Sequence, residues 1–371
     1  MASFARRSRL ALAAVLLAAL CGCSGSADPA LDSFSSPSAP AGAGTVTSSA
    51  VPATAPSSAT PSSATPAAVP VVPGAVVVAA VGDINHAGEA SPKSASGRVA
   101  ASITAARPDL VFGLGDYQYT VGTCAALLSG FDRLWGGLLP RMYHIAGPTH
   151  DWTSATDEQG YRQYFAGTCP GQKTGPSALV RPPHTPVGPG DIWSRDVGSW
   201  HLVGLPTALW KYDPAKAQAM TATLNTDLAR ARARGKHLLV AYHDPYFTSA
   251  TDRHTRDTDV KPWVDVIDRY DVRVTLSASQ HNYERSCPVL RTGVCTPDAG
   301  RGATSFNVST GGLGLRPFRD HPAFIRSRFA DTHGWLALSL HPDGSFAWRY
   351  QAVDGTGADA GSRPAPPAAA G

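Results

Sequence analysis

The residues of this chain best able to do chemistry stand at the ends of short apolar runs. Ala75–Val81 runs into Gly82-Asp83, and Val111–Leu114 runs into Gly115-Asp116, with Tyr119 three residues further on. Met142–Ala146 ends in Gly147-Pro148-Thr149-His150-Asp151, and Leu238–Tyr242 ends in His243-Asp244-Pro245. Val272–Leu276 ends in Ser277-Ala278-Ser279-Gln280-His281-Asn282-Tyr283-Glu284-Arg285. A single aspartate after a strand is commonly a helix cap, and a lone histidine is more often a packing group than a ligand. Five such endings in one domain point instead to a metal centre, since carboxylate, phenol and imidazole donors converging at strand tips suit coordination.

The elements that must position these groups read as alternating strands and helices. Runs rich in β-branched residues and closed by glycine predict strands buried on both faces, whose carboxyl ends gather ligands in open α/β sheets. Helical spacing predicts helices at Gly97–Arg107, Leu127–Trp135, Gly160–Phe165, Ala217–Arg234 and Val260–Tyr270. Ile192–Val197 and Trp200–Gly204 alternate around Gly198-Ser199 as a hairpin, and Phe306–Ser309, Trp335–Leu340 and Ser345–Tyr350 are expected to close the domain as an antiparallel set.

The ends of the chain carry other information. Arg6, Arg7 and Arg9 precede an apolar run from Leu10 to Leu20, too short to span a bilayer, which reads as an export signal over residues 1–22. Residues 23–73 are almost wholly Ala, Ser, Pro, Thr and Gly, with nothing to bury, and predict a disordered tether; residues 355–371 return to that composition and predict a disordered tail. The folded domain is expected over 74–354. Export implies an oxidising compartment. Of the three pairings open to the four domain cysteines, Cys287 with Cys295 across a short loop and Cys124 with Cys169 are preferred, with no redox or zinc role. A net charge of +4 without a basic run in the domain argues against nucleic acid as a partner.

Gly82-Asp83, Gly115-Asp116-Tyr117-Gln118-Tyr119, His150-Asp151, His243-Asp244-Pro245 and the segment ending in His281 together resemble the calcineurin-like metallophosphoesterases, in particular the purple acid phosphatases. The resemblance covers the chain from about Val76 to Tyr350 and implies a four-layer α/β/β/α sandwich. It further implies a first metal, iron, on Asp83, Asp116, Tyr119 and His281, and a second divalent metal (Zn, Mn or Fe) sharing Asp116 and taking His243. His150 would donate to a phosphate oxygen or to the leaving group. Leu20-Cys21-Gly22-Cys23 resembles the lipobox of bacterial lipoproteins, implying lipidation of Cys23 and anchorage to the outer face of the cell membrane; plain secretion is the alternative.

Two departures from the family pattern fall on ligands of the second metal. Thr149 stands where asparagine is expected and Ser279 where histidine is expected. A hydroxyl is a poor donor to a divalent transition metal, and disturbing even an outer partner costs about 10–100-fold in affinity, so the second metal is expected to be weak or absent. The resemblance implies two-metal hydrolysis of a phosphate ester, either a small molecule or a phosphoprotein, impaired by these changes. The alternative is a surface-tethered binding protein without catalysis. Asn85, at the place where other branches carry a ligand histidine, either reaches the metal or caps a turn, and Arg285 is expected to pair with Glu284 or a nearby carboxylate. The oligomeric state is left open.

Overall fold

Runs apolar on both faces need cover on both sides, and the structure supplies it. A computed structural model describes residues 68–152, 159–179 and 192–367. The expected signal, Cys23 and the tether as far as residue 67 lie outside those residues. The strands are β1 (Val76–Val81), β2 (Leu110–Gly113), β3 (Met142–His144), β4 (Trp193–Val197), β5 (Trp200–Leu205), β6 (His237–Tyr242), β7 (Val274–Ser277), β8 (Tyr283–Val289), β9 (Ala303–Val308), β10 (Ile325–Phe329), β11 (Gly334–Leu340), β12 (Phe346–Ala352) and β13 (Ala360–Arg363). The helices are α1 (Ala95–Ala106), α2 (Cys124–Ser129), α3 (Phe131–Trp135), α4 (Gln159–Ala166), α5 (Ala208–Tyr212), α6 (Pro214–Ala233) and α7 (Lys261–Arg269).

Two mixed sheets result, one ordered β13-β12-β11-β1-β2-β3 and the other β10-β8-β9-β7-β6-β5-β4. Side-chain alternation assigns the layers. Val78, Ala80, Phe112, Leu239, Ala241 and Leu276 join a core that also takes Trp193, Phe306, Leu336 and Leu338 from the two sheets. Their neighbours Ala79, Val81, Val111, Leu238 and Val240 instead pack with helix residues such as Val99, Ile103, Met220, Leu224 and Leu228. One face of each central strand therefore meets the other sheet and the opposite face meets helices, the α/β/β/α arrangement expected. At about 25 cal/mol per Å² of apolar area removed from water, this double burial is the main stabilising term.

Parallel register sets the site's position. Val81 pairs with Gly113 and Gly113 with His144, so β1, β2 and β3 release their following residues at one edge. In the second sheet Leu205 pairs with Tyr242 and Ala241 with Leu276, which aligns the ends of β5, β6 and β7. The two edges are stitched together: Gly82 N donates to Val308 O at 2.9 Å and His243 Nδ1 to Leu114 O at 2.7 Å.

Side-chain caps fix two helix starts. Ser94 caps α1 through Gly97 N at 3.0 Å, and Asp213 caps α6 through Lys216 N at 3.0 Å, with Pro214 in the first turn. Both expected disulfides, Cys124–Cys169 and Cys287–Cys295, are formed.

Several expectations are corrected. The strand at Phe306 does not join Trp335–Leu340 and Ser345–Tyr350. It lies in the other sheet, parallel to β7, because Thr304–Asn307 pair with Val274–Ser277. The end of the chain is not a structureless tail from residue 355. Residues Ala360–Arg363 form β13 against β12, and Asp359 receives Arg285 Nε at 2.8 Å and the Tyr283 hydroxyl at 2.7 Å. Arg285 thus pairs with Asp359 and not with Glu284. At the other end the tether stops before Pro73, since Val69 is buried in the core. No helix among the described residues is long and apolar enough to cross a membrane.

Candidate metal centre

Asp83 follows β1 and Asp116 follows β2, and each leaves its strand in the left-handed region with φ 54°. Ser279 and His281, beyond β7, do likewise at 72° and 54°. Left-handed backbone costs an L-residue roughly 1–2 kcal/mol, and the cost is offset because hydrogen bonds fix every turn. Asp83 N donates to Gly115 O at 3.1 Å, Ile84 N to Asp116 O at 2.9 Å, and His281 N to the Ser309 hydroxyl at 2.6 Å. Asp151 gathers three backbone donors into its carboxylate: Asp116 N at 2.6 Å, Gly147 N at 2.9 Å and Tyr117 N at 3.0 Å.

The turns bring six predicted residues together. The Tyr119 hydroxyl lies 2.6 Å from Asp83 Oδ1, 2.9 Å from Asp116 Oδ2 and 3.2 Å from His281 Nε2. His243 Nε2 is 3.5 Å and His150 Nε2 3.9 Å from Asp116 Oδ2. The three histidines share one arrangement. His243 Nδ1 donates to Leu114 O at 2.7 Å, His281 Nδ1 to Gly314 O at 3.0 Å, and His150 Nδ1 to Thr120 O at 2.6 Å. A carbonyl partner puts the proton on Nδ1, so in the neutral ring the lone pair of Nε2 is turned toward the carboxylates, the tautomer and orientation a metal ligand needs.

Two glycines make room for this. A Cβ on Gly115 would stand 2.5 Å from His243 Nδ1, and one on Gly147 would stand 2.2 Å from Asp116 Oδ1. That Asp116 oxygen is buried and, among the described residues, has no hydrogen-bond partner.

Charge in the cluster is frustrated. Burial opposes ionisation of Asp116, but His243, His150 and Tyr119 outweigh it and bring its carboxyl down to about 2. Burial and then the Asp116 and Asp83 charges push the Tyr119 phenol far up. One hydroxyl proton can serve only one of the two carboxylates around it. Donor atoms of Asp83, Asp116 and His243 lie within 4.8 Å of one another. Two buried carboxylates, an orphaned oxygen and inward imidazoles fit a cation.

The second position is poorer. Thr149 is exposed. The Ser279 hydroxyl donates to Asp244 Oδ1 at 3.0 Å, while its backbone N–H donates to Asp83 Oδ2 at 2.8 Å. Asp116 and His243 are therefore the donors left there among the described residues. The Asn85 amide nitrogen holds the turn, donating to Gln118 Oε1 at 2.9 Å and Glu89 O at 2.8 Å, while its buried Oδ1 has no hydrogen-bond partner among the described residues.

Two participants have roles that the sequence did not show. Asp151 was legible as part of the histidine motif, but its grip on the Asp116 turn was not. His254, in the loop after β6, lies beside His281 with ring centroids 5.9 Å apart. Among the described residues its ring nitrogens have no hydrogen-bond partner, and the loop's polar composition gives no hint of where it folds.

No protein-family model matches the sequence, and no curated relative does. Solved structures do match. A purple acid phosphatase from yellow lupin (Lupinus luteus) superposes with TM-score 0.55 at 17% identity over 79% of this chain. The chain spans 54% of that lupin protein. The GAP50 anchor of the inner membrane complex of Plasmodium superposes with TM-score 0.57 at 13% identity, covering 78% of this chain and 89% of its own. At such identities the likeness is one of fold, two sheets packed face to face between helices.

Proposed function

We propose that this protein is a metal-dependent phosphoesterase, hydrolysing phosphate monoesters at the cluster around Asp116. The observation that carries the reading is the common orientation of His150, His243 and His281, each tied through Nδ1 to a backbone carbonyl and turning Nε2 toward Asp83 and Asp116. Asp83, Asp116, Tyr119 and His281 would hold the first cation, for which iron suits the anionic oxygen donors. Asp116 and His243 would hold a second one weakly. A bound cation supplies Lewis acidity and lowers the pKa of water to the working range. Asp151 keeps Asp116 aimed. His150, packed at a tilt against Tyr119 with centroids 3.8 Å apart, would present Nε2 to the leaving oxygen.

The weakened second position favours a second reading, a binding protein that keeps the fold without turnover. The Plasmodium protein of similar fold is the anchor in its inner membrane complex, which supports that reading. Export and lipid anchorage through Cys23 belong to either reading. Metal analysis of the purified protein, together with turnover of an aryl phosphate, separates them. At least one tightly held metal with turnover is expected; a protein that holds metal but never turns over supports the binding reading, and one that holds none removes both metal roles.

A further inference from the structure

Beside the cluster lies a cavity of about 200 Å³ that shares His150 and Asp151 with it. The larger hollows along β8 and β13, on α6 and on α1 include none of the site residues. Its walls are built by cross-links rather than by long side chains. Gly122 N donates to His150 O at 2.7 Å, which ties the floor to the site. The Cys124–Cys169 disulfide holds the start of α2 against the segment after α4, and Gln163 Oε1 rests 3.1 Å from Cys124 Sγ. Val121, 40% exposed, gives the cavity an apolar rim, while Thr123 and Gln163 offer neutral hydrogen-bonding groups.

We propose that this cavity receives the leaving group of the substrate, and that the alcohol released is a single neutral ring, aromatic or hydroxylated. The inference rests on the phosphoesterase reading above and specifies its substrate. A phosphoryl group held by the cluster must direct its ester oxygen past His150, whose ring both packs against Tyr119 and lines the cavity. Whole-ligand pockets run to roughly 300–1,000 Å³, so this one takes a ring and not an entire nucleotide. Among the described residues its lining is uncharged apart from His150 and Asp151, which suits a neutral group better than a polyphosphate or an ammonium group.

The test uses the full, metal-loaded protein and two probes, phenyl phosphate and inorganic phosphate, with affinities measured by calorimetry and metal content in parallel. Wild type is expected to bind phenyl phosphate more tightly than inorganic phosphate. Gln163→Trp fills the cavity, and Val121→Asp charges its rim; each is expected to weaken phenyl phosphate about tenfold, with inorganic phosphate and metal content unchanged. The inference is overturned if both variants keep the wild-type affinity for phenyl phosphate, or if both probes weaken alike. Wild type that binds inorganic phosphate as well as phenyl phosphate overturns the subsite alone. Wild type that binds neither removes the phosphoesterase reading with it.

Discussion

Ser279 and Asp151 show how single residues set what this centre can hold. Asp151 is buried, and burial, followed by the nearby Asp116 charge, raises its carboxyl to about 7 against the pull of three backbone N–H groups. It spends its acceptors on the turn, leaving Asp116 free to face inward. Ser279 spends its hydroxyl on Asp244, which also accepts the Thr207 hydroxyl at 2.6 Å. Restoring the two expected ligands together, Thr149→Asn with Ser279→His, is therefore predicted to raise bound metal from about one to about two per chain, as two-metal hydrolysis requires. Turnover should rise with it, at a cost of about 1 kcal/mol for the lost Ser279–Asp244 hydrogen bond. Mass-spectrometric metal counting and a thermal melt read both effects. No gain in metal means that these two side chains do not stand at ligand positions.

Among the elements, α1 gives the cleanest trial of local backbone energetics. Arg107, which caps its C-terminus, adopts φ 50°, with its N–H donating to Ile103 O at 3.2 Å. Glycine is the residue that end of a helix prefers. Arg107→Gly is predicted to stabilise by about 0.5–1 kcal/mol, the relief of left-handed strain less the entropy glycine loses on folding. A higher melting temperature with unchanged metal content is the expected result, and a lower one means that Arg107 makes a contact worth more than its strain. The same scale shows what could be read in advance. β1, β2, β6 and β7 were legible because apolar runs stop at glycine or a polar ligand, and with them Asp83, Asp116, His243 and His281. β8 was not, since Glu284, Arg285 and Ser286 look like loop residues. In the fold Glu284 is buried, receiving Ser249 N at 3.0 Å and the hydroxyls of Thr248 and Ser249. β13 was hidden in the same way. Arg363 is buried by donating to the carbonyls of Asp298, Gly300, Arg273 and Gly302, partners far away in sequence.

At the scale of the molecule, stability is coupled to pH through a cluster remote from the metal centre. His201 bridges Asp196 at 2.6 Å and Asp227 at 2.8 Å. Burial opposes its charge, yet the two carboxylates win and raise its pKa above the ordinary value of 6.5. A raised folded-state pKa stabilises fully below the unfolded value, and that contribution fades as pH climbs through the folded value. Asp196 is partly exposed, so solvent weakens its share. The melting temperature is expected to fall as pH rises above about 6.5, the unfolded histidine value, and His201→Asn should flatten that slope. An unchanged slope in the variant places the pH dependence elsewhere.

The last strand reaches further than its length suggests. Asp359 is the shared counter-charge of Arg285 and acceptor for Tyr283, and Tyr283 begins two residues after His281. A protease cut within residues 355–358 would leave an unneutralised guanidinium and an orphan phenol next door to a ligand. Trimming the C-terminus should accordingly empty the metal centre, so intact mass needs checking before any preparation that lacks metal is taken at face value.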